Sequence, residues 1–295
     1  KHQRYFPVLK AGGEGGLLPY FIVVRNGDGE GEELVVEGNA AVIRARFADA
    51  DYFVRADKKL KLADYVPQLS TLTFQKELGS MLDKTRRVTA LVDDLAPHFP
   101  LEPGEQQIAR RAAELCKADL ATHMVVEMTS LQGIMGRDYA LESGEPPAVA
   151  QAIFEHYQPR YTGDALPKTR PGLLVGAADR LDTLAGLFSV GLAPSGTKDP
   201  FALRRAALGL VQSLAGWELD FDLRLGLRQA AAHLPQRFDA DELGECISFV
   251  IERLRNLLLE QGYRYDVVDA VLAAQGHNPA GAYRAAKELT AWVNR

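Results

Sequence analysis

From Leu34 onward the apolar residues of this chain stop alternating and begin to recur every three to four positions, first as Val35, Val36, Ala40, Val42, Ile43 and Phe47. That spacing stacks side chains on one face of a helix. The same period returns near the other end as Leu243, Ile247, Val250, Ile251, Leu254, Leu257 and Leu258. A chain patterned in this way has little sequence left for a sheet, so the fold class is read as mainly α. The exception lies upstream. YFPVL and LLPYFIVVRN are aromatic and β-branched, with KAGGEGG between them, and predict a β hairpin between residues 5 and 26. NGDGEGEE then breaks the chain.

Within the helical part, the pattern predicts helices over Asp64 to Leu78, Ser80 to Leu95, and Glu105 to about Thr129. Ala148 to Tyr157 reads as a short helix opened by Pro146 and Pro147, and Pro171 to Val190 as an apolar helix containing glycines. After the loop GLAPSGTKDP, Pro200 is read as the start of a helix covering Phe201 to Leu214. Leu223 to Leu234, Asp241 to Gln261, Tyr265 to Ala274 and Ala280 to Val293 complete the set.

The net charge of -5 excludes a protein-wide basic field for nucleic acid, so any RNA contact needs a local basic face. The two cysteines, Cys116 and Cys246, sit in apolar helical patterns and are read as buried free thiols. No apolar run approaches 18 residues and no signal peptide is visible, so no membrane association is expected and a cytosolic setting fits. The opening at Lys1, inside a strand-like pattern, reads as a piece of a longer protein.

Three groups of residues invite a chemical reading. Gly133 and Gly136 suggest a phosphate loop, but they follow a helix and no lysine with Ser or Thr comes after them. A bend between helices is the simpler reading. Asp119 and His123 are four apart, His156 follows, and Asp179 lies on a later helix. Imidazole and carboxylate from separate helices are what a divalent-metal phosphohydrolase requires. The alternative is that Asp119 and Asp179 cap helix ends or pair with Lys117 and Arg180. Finally, Lys84, Arg86 and Arg87 form one basic cluster, and Lys198, Arg204 and Arg205 a second. Each could meet phosphates or lie on a solvated face. Arg137 and Arg160 are further candidates for RNA contact.

GIMGRDYA, HYQPRYTGDALP, AADRLDTLAGLFSVG and SGTKDPFALRRAALG, with RYFPVL and FQKELGSMLDKTRRV earlier, resemble the β-subunit of the bacterial tetrameric glycyl-tRNA synthetase. The resemblance runs from about Arg4 to past residue 272. It implies an α2β2 glycine–tRNA ligase in which ATP, Mg and glycine are handled by the α-subunit. The β-subunit is then needed for charging and carries most recognition of glycine tRNA. This segment would be non-catalytic, without a cofactor or metal of its own, and cytoplasmic.

The central region also resembles the HD phosphohydrolase fold. AADRLDTL is similar to its final Asp motif, which puts Asp179 at a metal-ligand position. LCKADLATH falls where the His-Asp pair belongs, but it reads Lys-Ala-Asp. Asp119, His123, His156 and Asp179 are therefore expected to be vestigial. The expected domains are 1–65, the end of an upstream β-containing domain; 66–215, an HD-like helical bundle; and 216–295, a helical extension. The competing function is a metal-dependent HD-type phosphohydrolase acting on a nucleotide or an RNA 3′ end.

Overall fold

A computed structural model describes residues 5–10, 16–27, 29–161 and 163–293. The chain separates into two compact units, Lys1–Asp51 and Tyr52–Arg295. The second contains both 66–215 and 216–295.

In the first unit, β1 (Tyr5–Leu9) pairs antiparallel with β2 (Leu17–Val23), with Tyr5 opposite Val23 and Phe6 opposite Ile22. The hairpin is where the alternating pattern places it. Most of its glycine loop, residues 11–15, lies outside the described residues. Helix α1 (Glu32–Asp57) follows, and the unit boundary falls within it. The Tyr5 hydroxyl donates to Asn39 Oδ1 of α1 at 3.1 Å.

The second unit is helical. Its short elements are α2 (Leu62–Tyr65) and the two-stranded β3 (Thr73–Gln75) and β4 (Gly79–Ser80). The expected helix over Asp64 to Leu78 is not formed. Pro67 supplies no amide donor for a helix, and a 3-10 turn runs from Val66 to Thr71. Gln75 Oε1 then accepts from the amides of Glu77 and Leu78, closing a turn into Gly79 at φ +84°.

Helix α3 (Met81–Leu95) starts where expected, because Ser80 and Asp83 form a reciprocal capping box. It buries Val88, Leu91, Val92 and Leu95. The single helix read over Glu105 to Thr129 is three pieces: α4 (Glu105–Leu115), a 3-10 turn over Ala118–Ala121, and α5 (His123–Glu127). The apolar period continues across the break, which hides it. Turning the chain there points Lys117 and Asp119 into the interior.

Between Ser130 and Pro167 lie two helices, α6 (Ile134–Glu142) and α7 (Pro147–Glu155), and the sequence pattern predicts the second alone. Next comes α8 (Arg170–Ser189), with sixteen of its twenty residues buried. A helix apolar on every side belongs at the centre of a domain, and α8 packs against α3, α4, α7, α9, α10 and α11. Helix α9 (Leu203–Gly216) begins later than expected. Asp199 accepts from the amides of Leu203 and Arg204 at 2.8 and 3.0 Å, so Pro200 stays in the loop.

Helices α10 (Leu223–Ala231), α11 (Ala240–Glu260), α12 (Tyr265–Gln275) and α13 (Pro279–Val293) complete the unit. The stripe on α11 buries Val250, Leu254, Leu257 and Leu258 as its spacing requires. Cys116 and Cys246 are both free and buried. No helix among the described residues is long and apolar enough to cross a membrane.

Candidate functional site

Two acidic residues three apart share one face of α8. Asp182 is 1% exposed, and Asp179 stands one turn before it. Two basic residues three apart on α3 meet them. Arg87 donates from Nε to Asp182 Oδ1 at 2.6 Å and from Nη1 to the Leu78 carbonyl. Lys84 Nζ lies 2.9 Å from Asp182 Oδ2 and 3.1 Å from Asp179 Oδ1, and donates to Thr183 Oγ1 at 2.7 Å. Lys84 and Arg87, expected from sequence to meet RNA phosphates, are instead buried counterions. Arg86, between them, is 71% exposed and lies 3.7 Å from Asp83.

Lys117, which stands in the Lys-Ala-Asp segment, comes in from the other side. Its ammonium donates to Asp179 Oδ2 at 3.0 Å, sits 3.0 Å from His156 Nε2, and lies 4.3 Å from the centre of the Tyr157 ring. His156 Nδ1 faces the Ile153 carbonyl. An acceptor there assigns the ring proton to Nδ1 and the lone pair to Nε2, so the neutral imidazole accepts from Lys117. Burial, reinforced by Lys117, holds the His156 pKa well below the usual histidine range. Burial alone would raise Asp179, but Lys117 and Lys84 outweigh it and hold this carboxyl well below its usual value.

Asp119 is fully buried and turned elsewhere. Its Oδ2 accepts from the amides of Gly133 at 2.6 Å and Gly136 at 3.1 Å, at the start of α6, while its Oδ1 has no partner among the described residues. Burial pushes its pKa up to about 6, with those amides opposing. The two glycines that suggest a phosphate loop thus spend their amides on a carboxylate of this chain. Gly133 has φ +78°, and a Cβ there would lie 2.5 Å from the Tyr157 ring.

His123 does not join this cluster. Its amide and Nδ1 both donate to Asp57 Oδ1, at 2.9 and 2.8 Å, while Asp57 Oδ2 accepts from the Met124 amide and the Tyr139 hydroxyl. The residues assigned by the HD resemblance to a divalent ion therefore do not fit one. An ammonium stands between Asp179 and His156, Asp119 is committed to α6, and His123 is committed to Asp57. Among the described residues no group of three or more His, Cys, Asp or Glu is placed to hold a metal ion.

The remaining arginines share surface features with aromatic rings. Arg137 and Arg160 both lie over the Phe154 ring, at 4.8 and 5.2 Å. Pro159, Tyr161, Arg204, Arg205 and Gln212 line an open cavity of about 300 Å³. Tyr161 is 66% exposed. Arg204 donates from Nη2 to the Gly196 carbonyl at 2.6 Å, and among the described residues neither it nor Arg205 is ion-paired to Asp182 or Asp199. Lys198 is exposed in the preceding loop. Behind the cavity, Arg180 is buried and donates to the carbonyls of His156, Tyr157, Gln158, Pro159 and Gly176, which fixes the backbone leading to Arg160 and Tyr161.

The alternative read from sequence, in which Asp119 caps a helix end and Asp179 pairs with Lys117, is the arrangement found, whereas the placement of Asp57 and the carbonyl partners of Arg180 are missed. Lys117 carries a local signal, as the residue standing in the His-Asp segment.

A family model described as the glycyl-tRNA synthetase beta subunit matches residues 1–273. Similar curated proteins include the glycine–tRNA ligase beta subunit of Clostridioides difficile (strain 630), 45% identical over 297 residues, covering 100% of this chain and 43% of that protein. The beta subunit of Picosynechococcus sp. (strain ATCC 27264 / PCC 7002 / PR-6) is 47% identical over 279 residues, 92% of this chain and 38% of that protein. That of Halalkalibacterium halodurans is 42% identical over 299 residues, with shares of 100% and 43%. The chain spans about two fifths of the length of these relatives.

Proposed function

The chain belongs to the glycyl-tRNA synthetase beta-subunit family, and from that premise we propose that it is a tRNA-holding and assembly part of a glycine–tRNA ligase, with no catalytic group of its own. Its partners are then glycine tRNA and the α-subunit of an α2β2 enzyme working in the cytoplasm. ATP and Mg belong to the α-subunit. The helical unit acts as an HD-like scaffold put to use for binding.

The observation carrying this reading is the cavity of Tyr161, Arg204, Arg205 and Gln212. Guanidinium groups offer forked donors to phosphate oxygens, and an exposed aromatic ring accepts a base on its face. Side chains rather than backbone carry the contact, because Asp199 already occupies the first amides of α9. Such contacts position RNA without reading its sequence.

Lys198→Gln and Arg205→Gln, made in the assembled ligase, test it. Each should weaken tRNA binding several-fold and flatten its salt dependence by about one counterion per charge removed, with the melting temperature unchanged. Normal tRNA binding together with lost thermal stability would assign the cluster to structure instead.

A further inference from the structure

We propose that the Lys117 ammonium is the resident cation of the buried Asp179–His156 cluster, standing where a metal ion would otherwise be needed and closing the cluster to divalent ions.

The geometry is that of a filled site. An ammonium has three N–H donors, and Lys117 has three partners: Asp179 Oδ2 at 3.0 Å, His156 Nε2 at 3.0 Å, and the Tyr157 ring face at 4.3 Å. The imidazole presents its lone pair, not a proton, to this cation, which is the state in which histidine ligates a metal. Its other nitrogen is fixed by a backbone carbonyl, as outer partners fix metal-bound histidines.

The charges also close without a metal. Lys84 and Lys117 pair with Asp179, and Lys84 and Arg87 with Asp182, so both carboxylates already have cationic partners from this chain. A divalent ion would add two positive charges beside carboxylates that already have cationic partners. It would also have to draw both ligands from 3.0 Å to about 2.1 Å of one point, and among the described residues no third His, Cys, Asp or Glu is placed to join them, Asp119 being tied to the amides of Gly133 and Gly136. The lysine brings its charge on a covalent tether, so the cluster assembles at any metal concentration and ignores chelators.

Two measurements decide this. The first uses the wild-type chain and Mn²⁺ as a paramagnetic probe. The His156 ring signals should keep their width through one equivalent of Mn²⁺, and the melting temperature should not respond to EDTA. Selective broadening of His156 at stoichiometric Mn²⁺ overturns the proposal.

The second is a cycle of Lys117→Met, Asp179→Asn and the double variant. Lys117→Met keeps the length of the side chain and leaves the largely buried Asp179 carboxylate with Lys84 as its one ion partner among the described residues, so the melting temperature should fall by about 5–10 °C. Adding Asp179→Asn removes the carboxylate that has lost its Lys117 partner and should return part of that loss. If the double variant instead loses the sum of the single losses, Lys117 contributes packing alone and the proposal fails. Should Lys117→Met not fold, recovery of folding in the double variant supports the proposal equally, failure to recover counts against it, and the Mn²⁺ titration stands independently.

Discussion

Replacing Asp57 with alanine removes one carboxylate and leaves four donors without an acceptor: the amides of His123 and Met124, the His123 ring and the Tyr139 hydroxyl. The two amides are the first two of α5, and the third, from Val125, goes to Thr122 Oγ1. Asp57 and Thr122 together therefore satisfy the N-terminus of a helix only five residues long. A helix of that length has no stability of its own. The exposed His123 ring can turn to water, but the other three donors cannot do so cheaply. At about 1–3 kcal/mol for each buried donor left unsatisfied, less the carboxylate desolvation that the variant no longer incurs, the loss comes to about 3–5 kcal/mol. Urea denaturation of wild type and Asp57→Ala measures it directly. Native-state hydrogen exchange locates it, with the amides of His123 and Met124 losing protection first. His123→Ala, which removes only the exposed donor, should cost less than about 1 kcal/mol. A loss below about 1 kcal/mol for Asp57→Ala, or unchanged protection in α5, would refute the account of Asp57 as the residue that holds this helix.

Asp119→Asn should change the pH dependence of stability. The folded-state pKa of Asp119 is raised from 3.8 to about 6, so the folded chain keeps this proton between those values and the unfolded chain does not. Stability is lost as pH rises through that window, by about 3 kcal/mol. The variant should gain on wild type between about pH 4 and 7 in urea titrations, and a flat difference would contradict the reasoning. Asp179, held low, works in the opposite sense below about pH 4 in both proteins and cancels. Gly133→Ala, with its positive φ and its contact on Tyr157, should cost about 2–4 kcal/mol by thermal unfolding. Gly144→Ala, at φ +85° in open space, should cost only about 1 kcal/mol, and equal losses would discount the Tyr157 contact. The chain purified without an α-subunit should show no glycine-dependent pyrophosphate exchange, and measurable exchange would contradict its assignment as non-catalytic.

What the sequence revealed was what repeats locally. The α11 stripe and the start of α3 at Ser80 could be read directly, since each is settled by residues within a few turns. The break after Leu115 could not, because the apolar period runs through it and the cause is a pair of polar residues drawn inward. Lys84 and Arg87 look like a solvated basic face for the same reason: their acceptor, Asp182, lies on another helix 95 or more residues away. Helix α6 is obscured by its glycines. Gly133 serves as the turn into the helix and Gly136 makes room for Asp119, whose Oδ2 would lie 3.0 Å from a Cβ. Of the site, the surface arginines are visible as types, while the division between outward and inward basic residues depends on tertiary partners.

The buried Arg180 has a bearing on how variation in such a protein would be interpreted. It gathers the carbonyls that set the path to Arg160 and Tyr161, and a methyl group at Gly209 would lie 2.8 Å from its Nε. Damage at Gly209 would therefore be transmitted outward through a single guanidinium and would emerge as a misplaced surface loop. In a genetic screen scored by aminoacylation, that position would group with the outward-facing arginines although it is buried. A map of sensitive positions would then trace the support of the proposed tRNA face as well as the face itself.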